Sequence, residues 1–243
     1  METPFISVLL AVHNGENYMR HAINSVLQQT YNNFELLIGP NGNHSDRTED
    51  IAKEYKEKDA RVKICLASEK GKSHMLNYML KHAKGDYIAI QDHDDLWHDT
   101  KLQKQADFLK KFPDTDVLGT WFDCIDAHDE ILFVQETETK HTDIVRECRR
   151  GINEVGNFTS LVRTSKLREA GGWDPKWEGI EDFDLWLRLI NRGLRFANIA
   201  EILGKHRLHK KSSFNTQNFT EKLKQLVNEH NTNSKTEILN PNP

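Results

Sequence analysis

The residues of this chain that could do chemistry fall into four short clusters. Asp92-His93-Asp94-Asp95 packs three carboxylates into four positions. Carboxylates that converge repel one another, and a cation relieves the repulsion. Hard oxygen donors of this kind suit Mg2+ or Mn2+, ions that also ligate substrate phosphates. A solvated turn with aspartates ahead of a helix is the alternative. Glu181-Asp182-Phe183-Asp184 opens an amphipathic segment, where acids also stabilise a helix N-terminus through its dipole. His206-Arg207-Leu208-His209-Lys210-Lys211-Ser212-Ser213 is basic and rich in donors, fit either to grip a diphosphate or to lie as a solvated loop. Glu69-Lys70-Gly71-Lys72-Ser73 is a glycine turn feeding a helix start, where backbone N–H groups could meet a phosphate, although it is too short for a P-loop. The twelve histidines include no HExxH pair, and Cys65, Cys124 and Cys148 include no CxxC. Neither a zinc site nor a disulfide framework is expected.

The elements around these clusters alternate. Residues 5–12 form a nearly unbroken apolar run, as in a parallel strand buried on both faces. Met19, Ile23 and Val26 then share one helical face. Strand patterns at 34–38, 62–66 and 87–90 are separated by helical patterns at 46–58 and around Met75, Leu76, Met79, Leu80 and Ala83. This order predicts an α/β fold with a doubly wound, mostly parallel sheet and helices on both faces, binding ligands outside the carboxyl ends of its strands. Asp92 to Asp95 would sit on that edge. Beyond it, strands are expected at 117–125, 131–134 and 158–163 and a helix at 182–191. Phe219, Leu223, Leu226 and His230 could line one helical face, and the Asn-rich end after Asn231 reads as disordered.

Composition limits the function classes. The chain has 243 residues, 37% hydrophobic and 29% charged, with a formal net charge of -4. That balance argues against a general nucleic-acid binder, and no apolar run approaches the roughly 18 residues of a membrane span. With no signal-peptide pattern and few cysteines, a cytoplasmic chain is expected, with peripheral contact at the inner face of a membrane left open.

Taken together, the motifs resemble the family 2 glycosyltransferases, inverting enzymes of the GT-A fold. Residues 6–14, Ser25 to Tyr31 and residues 34–38 resemble the family's opening strand, first helix end and second strand. Residues 85–97 resemble its DxD strand, with Asp92 and Asp94 as the acids. Gly171-Gly172-Trp173-Asp174 with Glu181 to Trp186 resembles the segment that supplies the base, and residues 206–213 resemble the closing motif. The resemblance covers residues 5–213 and implies a catalytic domain over 1–213, followed by a helical or disordered tail over 214–243.

The resemblance also implies roles. Asp182 would be the catalytic base. Val12, Asn14, Asn41, Lys70, Lys72, Asn77, Asp92 and His93 would bind the donor, and Trp173 and Glu181 the acceptor. Arg207 and His209 would hold the diphosphate, and Asp94, Asp92 and His209 a Mn2+ or Mg2+ ion. The donor would be a nucleotide sugar, UDP-linked by family habit, and the acceptor a glycan or lipid-linked glycan of a cell-surface polysaccharide, lipopolysaccharide or glycolipid. One departure stands out. Where the family has Asp-Asp-Gly-Ser, this chain has Pro40-Asn41-Gly42-Asn43. Pro40 offers neither carboxylate nor N–H, whereas Asn41 offers both a donor and an acceptor. Two other readings stay open: a related domain that has lost donor recognition and serves as a scaffold, and a nucleotidyltransferase.

Overall fold

The computed structural model describes residues 3–209 and 219–239. Its frame is β1 (Ile6–Val12), α1 (Met19–Leu27), β2 (Phe34–Pro40), α2 (Thr48–Lys58), β3 (Val62–Ile64), α3 (Lys72–His82) and β4 (Tyr87–Ile90). β1 pairs in parallel with both β2 and β4, and β2 with β3. Every residue of β1 and β2 is buried, which explains their unbroken apolar character. Then follow β5 (Leu96–Trp97), α4 (Lys101–Lys111), β6 (Val117–Ile125), β7 (Ile131–Gln135), α5 (His141–Arg149), β8 (Leu161–Arg163), α6 (Thr164–Glu169), α7 (Glu181–Asn191), β9 (Phe196–Arg207) and α8 (Thr220–Leu239). The nine strands join one sheet of order β3-β2-β1-β4-β8-β6-β9-β5, with β7 on β6. Two apolar cores cover its faces, one around α1, α2 and α4, the other around α3 and α7. No described helix is long and apolar enough to cross a membrane.

Three expectations need correction. The strand expected at 158–163 begins as a 3-10 turn at Asn157–Thr159, and only Leu161–Arg163 is extended. Thr159 and Ser160 hydroxyls donate back to Gly156 O and Asn157 O at 2.9 and 2.7 Å, the local bonding that diverts such residues from a ladder. The long strand β9 has no counterpart in the sequence reading. It pairs in parallel with β6 and carries His206 and Arg207 into the sheet, not into a loop. Finally, α8 continues past Asn231 to Leu239. Leu226 is fully buried, Phe219, Leu223 and Val227 pack on the core, and His230 pairs with Asp184 at 3.0 Å. The boundary expected at 213/214 lies outside the described residues.

Candidate active site

The carboxyl ends of β1 and β4 and the end of β9 open onto a cleft of about 1160 Å³. Val12, Asn14, Asn41, Lys72, Asp92, His93, Asp94 and His209 line it, as do Tyr18, Asp95, His206 and the turn at Asp126 to His128. Strand pairing of β9 with β6 and β5 brings together residues more than 110 positions apart. His209 Nε2 donates to Asp94 Oδ2 at 2.9 Å. Burial works against the charge on Asp94, but that bond and the neighbouring His93 hold its carboxyl well below the usual range. Fully buried Asp95 accepts from His206 Nδ1 at 3.1 Å and from Arg207 N at 2.8 Å. Burial pushes Asp95 up to about 6. His206, which burial alone would lower, is pushed up to about 9 by Asp95, so a carboxylate–imidazolium pair braces the strand end near neutral pH.

Lys72 spans the two halves of the site. Its Nζ lies 2.7 Å from Asp92 Oδ1 and 3.4 Å from Glu181 Oε1. Burial pulls its pKa down, yet Asp92, Glu181 and Asp182 outweigh this and raise it well above the lysine norm. Asp182, half-buried on the first turn of α7, accepts from Asn153 Nδ2 at 3.1 Å. Burial and then Glu181 push it up to about 6, while Lys72 opposes the rise. A carboxylate poised there can take a proton near neutral pH.

Several expected roles do not fit the geometry. Arg207 is 1% exposed, and its guanidinium faces protein. It donates to Asp94 O at 3.0 Å and Asp126 O at 3.1 Å, pairs with Asp129 at 2.6 Å and lies 4.7 Å over the Tyr18 ring. It is a strut behind the cleft and does not present itself to a diphosphate. Asn77 donates to Trp173 O at 2.7 Å and accepts from Trp173 N at 2.9 Å. Its side chain is used up on the backbone, away from any donor. Trp173, 1% exposed, lies in the core and cannot touch an acceptor. Glu181 is buried and accepts from Gly179 N at 2.6 Å. Lys70 is exposed and outside the cleft lining. The α3 N-terminus, read as a phosphate seat, is closed by Glu178. That carboxylate accepts from Lys72 N at 2.5 Å, Ser73 N at 3.1 Å and Ser73 Oγ at 2.5 Å. Lys210 to Ser213 lie outside the described residues.

Asn41 accepts from Gly71 N at 3.2 Å through Oδ1, donates through N to Val12 O at 2.8 Å, and accepts from His13 Nδ1 through O at 2.8 Å. Its Nδ2 donors have no acceptor among the described residues. No group of three or more His, Cys, Asp or Glu is arranged among the described residues to hold a metal alone. Asp92 is instead engaged by Lys72 and by Asn157 Nδ2 at 3.1 Å. Such a donor set fits a cation shared with substrate phosphates, as Mg2+ usually is, and not one caged by protein. Glu178, Asn153, Asn157 and Tyr18 were missed from sequence, and Asp95, read as part of the acidic cluster, was given no role of its own. Their partners lie up to 112 residues away, and the segment ending at Asn157 shows no chemistry in its sequence.

Residues 7–171 match the family Glycosyl transferase family 2. The putative glycosyltransferase EpsE of Bacillus subtilis is 33% identical over 226 residues, spanning 89% of this chain and 77% of that protein. The O-antigen biosynthesis glycosyltransferase WbnJ of Escherichia coli is 31% identical over 210 residues, spanning 86% and 81%. Among solved structures, S. aureus TarS in complex with UDP-GlcNAc matches with a TM-score of 0.77 at 17% identity, over 93% of this chain and 66% of that one. Mannosyltransferase PcManGT from Pyrobaculum calidifontis, in complex with GDP-Man and Mn2+, matches with a TM-score of 0.66 at 17% identity, over 88% and 59%. The chain thus spans about two thirds of the length of the TarS structure it matches. The parallel β1–β2–β4 frame, the acids at its carboxyl edge and these likenesses agree: the fold is of GT-A type, and the chain belongs to glycosyl transferase family 2.

Proposed function

We propose that this chain transfers a sugar, with inversion, from a nucleoside-diphosphate donor to an acceptor hydroxyl. The observation that carries the reading is Lys72, whose single ammonium reaches the donor-side Asp92 and the Glu181-Asp182 pair on α7. On this reading the leaving diphosphate sits at Asp92 and Asp94, and Asp182, next to Glu181, is the base. The nucleotide enters past Val12, Asn14 and Asn41, where the free Nδ2 of Asn41 offers donors to a base edge. Asp94, Asp92 and His209 would hold a Mn2+ or Mg2+ ion, which when bound supplies positive charge to the departing diphosphate. Lys72, charged throughout the physiological range, adds to that field. Asp182 draws the proton from the acceptor hydroxyl as its oxygen bonds to the anomeric carbon and the bond to the diphosphate oxygen breaks. One displacement inverts the configuration.

TarS is solved with UDP-GlcNAc and PcManGT with GDP-Man, and WbnJ is an O-antigen enzyme. TarS and PcManGT support a nucleotide-sugar donor and WbnJ a glycan acceptor; a lipid-linked acceptor met at a membrane surface is part of our proposal. Incubation with UDP-GlcNAc, other UDP-hexoses and GDP-mannose, with Mn2+ and a glycan acceptor, should release free nucleoside diphosphate. Pyrophosphate release would instead favour nucleotidyl transfer, and no nucleotide binding at all would favour the scaffold reading, which the missing acid at Pro40 supports.

Three outcomes follow for single residues. Asp94→Ala should abolish cation-dependent nucleotide binding in calorimetry and lower the melting temperature modestly, because it removes the carboxylate that His209 and His93 hold ionised. Undiminished turnover in excess chelator would count against it. Because Asp182 must be deprotonated to act, kcat/KM should rise with pH through about 6. Lys72 lowers the Asp182 pKa, so Lys72→Met should move that acid limb to higher pH. A limb that stays put would remove Asp182 from the titration.

A further inference from the structure

The connection from α5 to β8, residues 150–160, places one amide on each carboxylate that the proposed reaction needs. Asn153 Nδ2 donates to Asp182 Oδ2 at 3.1 Å, and Asn157 Nδ2 to Asp92 Oδ2 at 3.1 Å. The second amide is only half used. Asn157 Oδ1 is buried and has no hydrogen-bond partner among the described residues. A buried acceptor left unpaired is costly and calls for a reason. Turning the amide over gives no relief, because the oxygen would then face the Asp92 carboxylate. Nor is the turn free to move. Trp97 Nε1 donates to Phe158 O at 2.7 Å, Gln105 Nε2 donates to Thr159 O at 2.9 Å, and the Phe158 ring stacks on His206 at 5.7 Å. The orphaned oxygen is held in place beside Asp92 by its own planar amide.

The chemistry of the missing donor follows from this placement. On the reading above, Asp92 stands at the diphosphate and Asp182 at the acceptor, so a loop that bonds both carboxylates runs alongside the ring being transferred. That ring is neutral and rich in hydroxyls, and a fixed amide oxygen is a natural acceptor for one O–H. We propose that Asn157 Oδ1 receives a hydroxyl of the donor's sugar, making Asn157 a sugar-recognition residue. The assignment rests on the glycosyl-transfer reading above.

The test compares bare nucleotides with their sugars by titration calorimetry in Mn2+, using UDP against UDP-GlcNAc and GDP against GDP-mannose. In Asn157→Ala, Asp92 keeps its Lys72 partner, so affinity for the bare nucleotide should change less than about 2-fold. Affinity for the cognate nucleotide sugar should fall roughly 5- to 10-fold, the size of one lost hydrogen bond. Equal weakening of nucleotide and nucleotide sugar would overturn the proposal, because Asn157 would then act only through Asp92 or its cation. No weakening of either would overturn it too. Should Asn157→Ala fail to fold by circular dichroism, the wild-type protein is titrated with deoxy-sugar analogues of the nucleotide sugar that binds. Loss of one particular hydroxyl should cost the same factor, and uniform tolerance would sink the idea. Wild-type protein that binds none of the four nucleotides would bring down the glycosyl-transfer reading first and this assignment with it.

Discussion

Asp182→Asn is expected to slow sugar transfer by a factor on the order of 10² to 10⁴, the usual contribution of a general base. Asparagine keeps the shape of the side chain on the first turn of α7 but cannot accept the proton. Donor affinity should stay near the wild-type value, since Asp182 takes its side-chain hydrogen bond from Asn153 and none joins it to Asp92 or Asp94 among the described residues. If Asp182 only favoured the α7 dipole, the pattern would reverse: a stability loss of roughly 0.5–1 kcal/mol with transfer nearly unchanged. Melting temperature, donor affinity and transfer rate measured on the one variant separate the two. A stable, donor-binding Asp182→Asn protein with near-normal transfer would remove Asp182 from the mechanism. Asp184 is no ready substitute, because it is 1% exposed and already pairs with Arg188 at 2.8 Å and His230 at 3.0 Å.

Arg207→Leu should be the most destabilising single change considered, by about 3 kcal/mol or more. It strips donors from Asp94 O and Asp126 O and leaves Asp129 without its cation. Asp129 is largely exposed and water can take over there, which keeps the loss toward the lower end for a buried ionic partner. At roughly 2–4 °C per kcal/mol for a chain of this size, the melting temperature should drop by about 6–12 °C. Arg207→Lys discriminates between a strut and a diphosphate ligand. Lysine keeps the charge but cannot fork between two carbonyls and a carboxylate, so a strut loses stability. A ligand to the diphosphate would instead keep much of its donor affinity at an unchanged melting temperature, and that result would restore the role expected from the sequence.

The parallel half of the fold was legible because its strands are buried on both faces. Ile6–Val12 and Phe34–Pro40 show that burial directly as apolar runs, and α1 and α3 show theirs as stripes at helical spacing. The rule that ligands bind outside the carboxyl ends of parallel strands placed Asp92 to Asp95 on the binding edge, and the family pattern singled out Asn41. The family pattern carried Asp182 to the start of α7, one residue inside a helix that the alternation of acids and apolar residues had already marked.

What lay beyond reach was any property decided by a distant partner. Arg207 and His209 look alike from sequence as donors in a basic run, yet one is a buried strut and the other lines the cleft. The difference comes from β9 pairing with β6, which points Arg207 behind Asp94 and leaves His209 in front of it. Trp173 and Asn77, 96 residues apart, clamp each other out of the site. Glu178 fills the helix N-terminus that a glycine turn seemed to hold open for phosphate. Sequence by itself determined which segments form the frame and which acids stand on its edge, because burial and strand direction are written locally in residue type and spacing. Tertiary structure decided which polar groups face the cleft and which are spent on one another, because a hydrogen bond between residues 65 or 106 positions apart leaves no periodic trace in either segment.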